Sequence, residues 1–155
     1  MSVTRINRGI IATALVGILV STYALYVEMA AEARPGYQAL CDLSEHASCT
    51  RVLTSEFSKG FGFVAEDSTF EVPNCIYGIV FYCIIIYLST FDNAAVVRLQ
   101  QFLCLASVVS CVYLGYLLLF VLFDFCIVCV STYIVNGMLL VFVNKKKDFL
   151  ATKNK

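Results

Sequence analysis

The sequence predicts an all-α integral membrane protein, a four-transmembrane-helix bundle with a luminal cap loop. Three observations carry that expectation. The chain has 155 residues, 60% of them hydrophobic and only 14% charged, where a soluble domain is about a quarter charged. The charges leave four uncharged stretches, residues 9–27, 72–91, 99–123 and 125–144. A hydrocarbon core of roughly 30 Å takes about 20 apolar residues in a helix, with a range of about 17–25, and all four stretches fit. Finally, Lys and Arg crowd at one set of ends of these stretches, as flanks on the cytoplasmic side of a membrane do.

The first helix is expected over about residues 9–28, behind Arg5 and Arg8. A signal peptide also begins with basic residues and an apolar run. This run is long, however, and "YVEMAAEARPG" offers no clean small-x-small cleavage site, so a span is expected. The loop 29–73 is the one sizeable piece outside the bilayer, and it is too poor in core residues to fold alone. "GFGFV" at 60–64, with Phe57 and Phe70, is apolar and glycine-spaced. Such a loop is predicted to cap the bundle or lie on the membrane. "EVPN" at 71–74 opens the second helix, about 74–90. Proline suits a helix start, and Asn74 either caps it or aims a polar group at a cavity. A turn in "YLSTFDNAAVVR" leads to the third helix, about 98–122. Asp124 marks the next turn, and the fourth helix follows over about 126–143. No repeat or low-complexity segment divides residues 1–155, so a single membrane domain is expected. A net charge of zero gives no sign of a nucleic-acid partner.

With four spans both termini share a side. That side carries Arg5, Arg8, Arg98, Lys145, Lys146, Lys147, Lys153 and Lys155, and the other only Arg34, Arg51 and Lys59. The first is therefore predicted to be cytoplasmic. The opposite side receives Cys41 and Cys49 in the loop and Cys126 and Cys129 after the last turn. In a eukaryote that side is the endoplasmic reticulum lumen, where disulfides form and persist.

Cys126 and Cys129, in "DFCIVCVSTY", stand at i and i+3, so on a helix their Cβ atoms lie about 5–6 Å apart on one face. A small adjustment closes a disulfide, and the free N–H groups of a first helical turn favour a thiolate. The pair is thus expected to cycle between dithiol and disulfide. Asp124 and Phe125 mark the water side, where Cys126 would meet another protein thiol. Cys129, one turn inward, would meet a quinone dissolved in the bilayer. Asn74 and Tyr133, near the same ends of helices two and four, are candidates to hydrogen-bond its oxygen. Cys41 and Cys49, eight apart in "CDLSEHASC", fit either a static loop disulfide or a shuttle that passes electrons to Cys126. Zinc would need about four ligands. His46 with Cys41, Cys49 and a further thiol matches no familiar spacing, so no metal is expected. Cys75, Cys83, Cys104 and Cys111, within helices, are read as inert small hydrophobes.

Several segments together, "YALYVE", "ALCDLSEHASCTRVLTS", "GFGFV", "PNCIYGIVFY" and "VYLGYLLLFVLFDFCIVCVSTY", resemble the vitamin K epoxide reductase family, in the family's order over about residues 8–143. The resemblance implies a four-helix bundle around a quinone pocket capped by the luminal loop. It implies reduction of vitamin K 2,3-epoxide to the quinone and of the quinone to the hydroquinone, with a dithiol as reductant and no tightly bound cofactor. It implies that Cys129 attacks the substrate, that Cys126 resolves the adduct and exchanges with Cys49, and that Cys41, paired with Cys49, takes electrons from a thioredoxin-like luminal oxidoreductase. Asn74 and Tyr133 match the family's substrate-hydrogen-bonding residues, Phe81 and Leu114 its pocket lining, and Leu53 and Phe57 its cap. The 4-hydroxycoumarin inhibitors would occupy the same pocket. The chain departs at Leu53, where phenylalanine is more usual, and in a short approach to Pro73. Two other functions fit the residues: quinone-linked oxidation of luminal protein thiols by the same relay, and a non-enzymatic tetraspan protein with structural disulfides.

Overall fold

The computed structural model describes residues 2–44, 46–62 and 72–153. Three long helices dominate: α1 (Val3–Ala33), α4 (Ala94–Phe120) and α5 (Ile127–Lys153). A short α2 (Cys49–Leu53) sits in the loop after α1, and α3 (Asn74–Ser89) precedes α4. The long helices, with Ile127–Thr152 of α5, are long and apolar enough to cross a membrane. The apolar α3 has 16 residues, about 24 Å at about 1.5 Å per residue. α1 and α5 run well past the charge-free stretches, because helix propensity and end packing, not hydropathy, decide where a helix stops. Phe63, Val64 and Phe70 of the expected cap lie outside the described residues.

α1 packs along both α3 and α5, and α4 packs along α5, whereas α3 and α4 touch little. A cavity opens between the last two. Close approach of α1 and α3 depends on small residues: a Cβ on Gly17 would fall inside the Tyr82 ring, and one on Gly78 would sit 3.0 Å from Ser21 Oγ. One apolar cluster joins Ile6, Ile10, Tyr82, Ile85, Leu139 and Val143. A second, at the loop end, joins Ala24, Val27, Cys49, Val52, Leu118 and Cys126. Many large apolar side chains face outward, among them Leu19, Phe102, Val112 and Val141. A soluble surface rarely carries so much apolar area, and lipid accommodates it.

Lys146 differs from its expected place as a flanking cation. It is fully buried, and its Nζ donates to Ser89 O at 3.2 Å and Phe91 O at 2.9 Å and pairs with Asp92 at 3.1 Å. A cation there satisfies the carbonyls that end α3 and complements its dipole. Lys146→Met is expected to lower stability by about 1–3 kcal/mol, the cost of leaving buried acceptors unpaired. Thermal unfolding in detergent measures it.

Candidate active site at the loop end of the bundle

The residues between Cys41 and Cys49 are framed by one carboxylate. Asp42 accepts from Ala39 N (2.9 Å), Ser48 Oγ (2.9 Å), Thr50 N (3.0 Å) and Thr50 Oγ1 (2.6 Å). Burial raises its pKa, but the hydrogen bonds from Thr50, Ser48 and Ala39 outweigh that and hold it below the usual carboxylate value. The stability this contributes is present above the unfolded value, about 3.9, and is lost as pH falls through the lowered folded value. Within this frame Cys41 and Cys49 form a disulfide with Cα atoms 5.7 Å apart.

The loop is tied to the α4–α5 turn at two points. Arg51 of α2 makes a two-pronged ion pair with Asp124, at 2.6 and 2.9 Å, and Phe125 N donates to His46 O at 3.0 Å. Paired N–H groups matched to a carboxylate fix orientation as well as position. Phe123, in the turn, has φ +51°, a conformation that costs a non-glycine residue roughly 1–3 kcal/mol. It reverses the chain so that Cys126 arrives directly before α5.

Cys126 lies at the N-terminus of α5. Its carbonyl accepts from Val130 N at 3.0 Å, and its Sγ accepts from Cys129 N at 3.2 Å. The Cys129 thiol, with the Cys129 and Val128 N–H groups, holds the Cys126 thiol below its ordinary pKa, against the opposing effect of burial. The expectation of a water-side thiol needs correction: Cys126 is 0% exposed. The pinned loop covers it, and it shares an apolar cluster with Cys49, also 0% exposed. Both Cys126 and Cys129 are free thiols.

One turn inward, Cys129 lines a cavity of about 340 Å³, within the range of small-molecule sites, roughly 300–1,000 Å³. Asn74, Tyr133, Phe81, Leu114 and Leu53 line it too. Phe57 instead lines an adjoining cavity of about 90 Å³, together with Leu53, Asn74, Leu114, Cys129 and Tyr133. The structure therefore brings together every side chain expected around Cys129, with Phe57 one layer out.

Asn74 has work of its own. Its Nδ2 donates to Phe57 O at 2.7 Å and its Oδ1 accepts from Phe61 N at 2.8 Å. It thus clamps the 57–61 turn over the helices, leaving each end of the amide one further hydrogen-bonding position. Phe61, at φ +56° between Gly60 and Gly62, is turned onto the cavity and packs on Tyr77 with ring centroids 5.7 Å apart. Tyr113 Oη donates to Phe61 O at 3.4 Å. Tyr77, Asp42 and the Arg51–Asp124 pair are site residues that sequence reasoning did not single out, and Phe61 stood out only as part of the apolar "GFGFV" run of the expected cap. The glycines flanking Phe61 were the one local signal, since they permit a positive-φ turn.

These parts define a class: a helical protein of membrane-spanning character that sets a thiol pair between a disulfide-bearing loop and an internal apolar cavity. The profile of the vitamin K epoxide reductase family matches residues 9–144. The chain is 37% identical over 149 residues to the Mus musculus protein "Vitamin K epoxide reductase complex subunit 1", covering 93% of this chain and 92% of the relative. It is 38% identical over 148 residues to the Rattus norvegicus protein of the same description, covering 92% of each. The chain belongs to the vitamin K epoxide reductase family, a family of oxidoreductases.

Proposed function

We propose that this protein reduces vitamin K 2,3-epoxide to the quinone, and the quinone to the hydroquinone, in the endoplasmic reticulum membrane. Both termini are cytoplasmic and the loop is luminal. The observation that carries this is the pair of environments along one turn of α5. Cys129 opens on an apolar cavity, while Cys126 lies under the loop that bears Cys41 and Cys49. A dithiol in contact with both a lipid-soluble oxidant and a second cysteine pair has what an electron relay needs.

α3 serves as the fourth span. It is short for a bilayer, but its last carbonyls are satisfied by buried Lys146 and its first residue is bound to the loop backbone. Helix ends at membrane depth are tolerated where protein satisfies them. The loop with the 57–61 turn is the luminal cap.

Each cycle starts with the loop joined as a disulfide and Cys126 and Cys129 reduced, the state in which electrons have already moved inward. The Cys129 sulfur attacks the epoxide or quinone ring and the substrate oxygen takes a proton. Cys126 then attacks Cys129, leaving a Cys126–Cys129 disulfide and releasing the quinone and a water from the epoxide adduct, or the hydroquinone from the quinone adduct. A thioredoxin-like luminal oxidoreductase reduces the Cys41–Cys49 disulfide; Cys49 then attacks Cys126, freeing Cys129 and forming a Cys49–Cys126 bond, and Cys41 attacks Cys49, freeing Cys126 and closing the loop disulfide again. No bound cofactor takes part. The Tyr133 hydroxyl and the remaining Asn74 N–H stabilise negative charge as it develops on the substrate oxygen, and 4-hydroxycoumarins present similar oxygens to the same groups. Losing one such donor costs about 10²–10³ in rate, so Tyr133→Phe is expected to cut kcat by roughly 10²-fold. Microsomes carrying the wild-type chain, supplied with a dithiol, should convert vitamin K epoxide to quinone and hydroquinone. Absence of conversion in folded protein would overturn the reading.

A further inference from the structure

The cavity has a second polar region, away from the reacting thiols. Tyr82 and Asn136 both line it, and they are only 1% and 6% exposed. Tyr82 Oη and Asn136 Oδ1 have no hydrogen-bond partner among the described residues. Asn136 Nδ2 donates to Cys111 Sγ at 3.0 Å, and Cys111 lines the same space. Around them the wall is apolar, with Phe81, Leu103, Ala106 and Leu114. Buried polar atoms left without a partner are costly. Two residues that carry such atoms, one on α3 and one on α5, line one cavity and suit a polar group of a ligand.

Their position is separate from the mouth. Asn136 follows Cys129 by seven residues on the same face of α5, about 10 Å along the axis, and Tyr82 follows Asn74 by eight, about 12 Å. Side chains lean toward the N-terminus of their helix, so Asn136 reaches back toward Cys129 and Tyr133. A flat aromatic ligand held near Cys129 would therefore present its far edge to this floor. Tyr82 is fixed there because Gly17 leaves room for its ring.

The hydrogen-bonding pattern selects the group. Tyr82 Oη both donates and accepts, whereas Asn136 Oδ1 only accepts. A carbonyl satisfies Tyr82 and leaves Asn136 unpaired, and a hydroxyl satisfies both.

We propose that Tyr82 and Asn136 form a hydroxyl-recognising subsite at the cavity floor, which receives the far oxygen of the quinone ring and stabilises its hydroquinone form. This rests on the function proposed above. In quinone reduction the Cys126–Cys129 dithiol becomes a disulfide, and the ring gains two electrons and two protons, one on each oxygen. The far oxygen changes from carbonyl to hydroxyl. In epoxide reduction that oxygen is a carbonyl before and after, so the floor favours the second step over the first.

The test measures both steps in microsomes with a small dithiol, comparing the wild type with Tyr82→Phe and Asn136→Leu. Loss of one hydrogen bond of average strength is worth about fivefold. Tyr82→Phe removes a donor that carbonyl and hydroxyl both use and is expected to slow both steps, whereas Asn136→Leu removes the acceptor that only a hydroxyl uses, so there hydroquinone formation is expected to fall about fivefold more than epoxide reduction. Parallel loss of both steps in Asn136→Leu, or loss in neither variant, overturns the proposal and assigns the floor to packing or a buried water. A binding measurement on purified protein keeps the question open to refutation should turnover be absent. Wild type should bind 2-methyl-1-naphthol more tightly than 2-methylnaphthalene, and Tyr82→Phe should erase that preference. An undiminished preference in Tyr82→Phe overturns the subsite. A wild type that prefers the naphthol yet turns over no epoxide sinks the functional reading and leaves the subsite standing.

Discussion

Cys129→Ser is expected to abolish vitamin K epoxide turnover in membranes, whichever reductant is supplied. Serine keeps the shape of the side chain but replaces a sulfur nucleophile by a hydroxyl that is a weak nucleophile without an adjacent base. No histidine stands in the cavity lining to act as one. The loss should reach roughly three orders of magnitude or more, as for other nucleophile deletions. Cys126→Ser should be as inactive over many turnovers for a different reason. Its Cys129 can still attack, but nothing resolves the adduct. Intact-mass measurement after incubation with quinone should find one quinone bound to Cys126→Ser and none to Cys129→Ser. Full turnover by Cys129→Ser would contradict the proposed mechanism, an adduct on Cys129→Ser alone would reverse the assigned roles, and an adduct on neither variant would remove them.

The second large effect depends on the reductant. Cys126 is buried beneath the loop, and the proposed relay has a protein thiol act on it through Cys41 and Cys49. Cys41→Ala or Cys49→Ala should therefore lose turnover driven by a thioredoxin-like protein while keeping part of the turnover driven by a small permeant dithiol. The split distinguishes a shuttle from a static loop disulfide. A static disulfide predicts equal loss with both reductants, through destabilised structure alone. The same comparison bears on the loop frame. Asp42→Ala removes four hydrogen-bond acceptor contacts around the disulfide without touching either sulfur. It should impair the protein-driven reaction more than the dithiol-driven one.

Much of the bundle was legible because membrane helices announce themselves by charge-free length, and the thiol pair because C-x-x-C spacing is local. Around Cys129, Asn74 and Tyr133 stood out as polar groups at the same helix ends, Phe81, Leu114, Leu53 and Phe57 were named through the family resemblance, and all six line adjoining cavities. What escaped the sequence was set by contacts distant along the chain. Arg51 and Asp124 are 73 residues apart, and nothing local in either says that they pair. Lys146 reads as one of three consecutive lysines, yet it alone is buried, because the end of α3 supplies carbonyls at its level. The burial of Cys126 was missed for the same reason: it depends on where the loop folds back. Asn74 was read as a cap or a substrate ligand. Its helix has Pro73 at the cap position, and the amide holds the backbone of a turn 13 and 17 residues upstream. Tyr82 and Asn136 look like ordinary helix residues until two helices bring them to one cavity, each with a buried oxygen that has no partner among the described residues.

The proposed relay passes electrons from the loop to α5 through a Cys49–Cys126 bond. The direct measurement uses the double variant Cys41→Ala, Cys129→Ala, in which the usual partner of each remaining sulfur has been removed. Microsomes are oxidised briefly, free thiols are alkylated, and the digested protein is read by mass spectrometry. The relay predicts a cross-linked peptide pair joining Cys49 to Cys126 as the major disulfide product. Recovery of Cys49 and Cys126 as separately alkylated peptides, in protein that retains its fold, would contradict it.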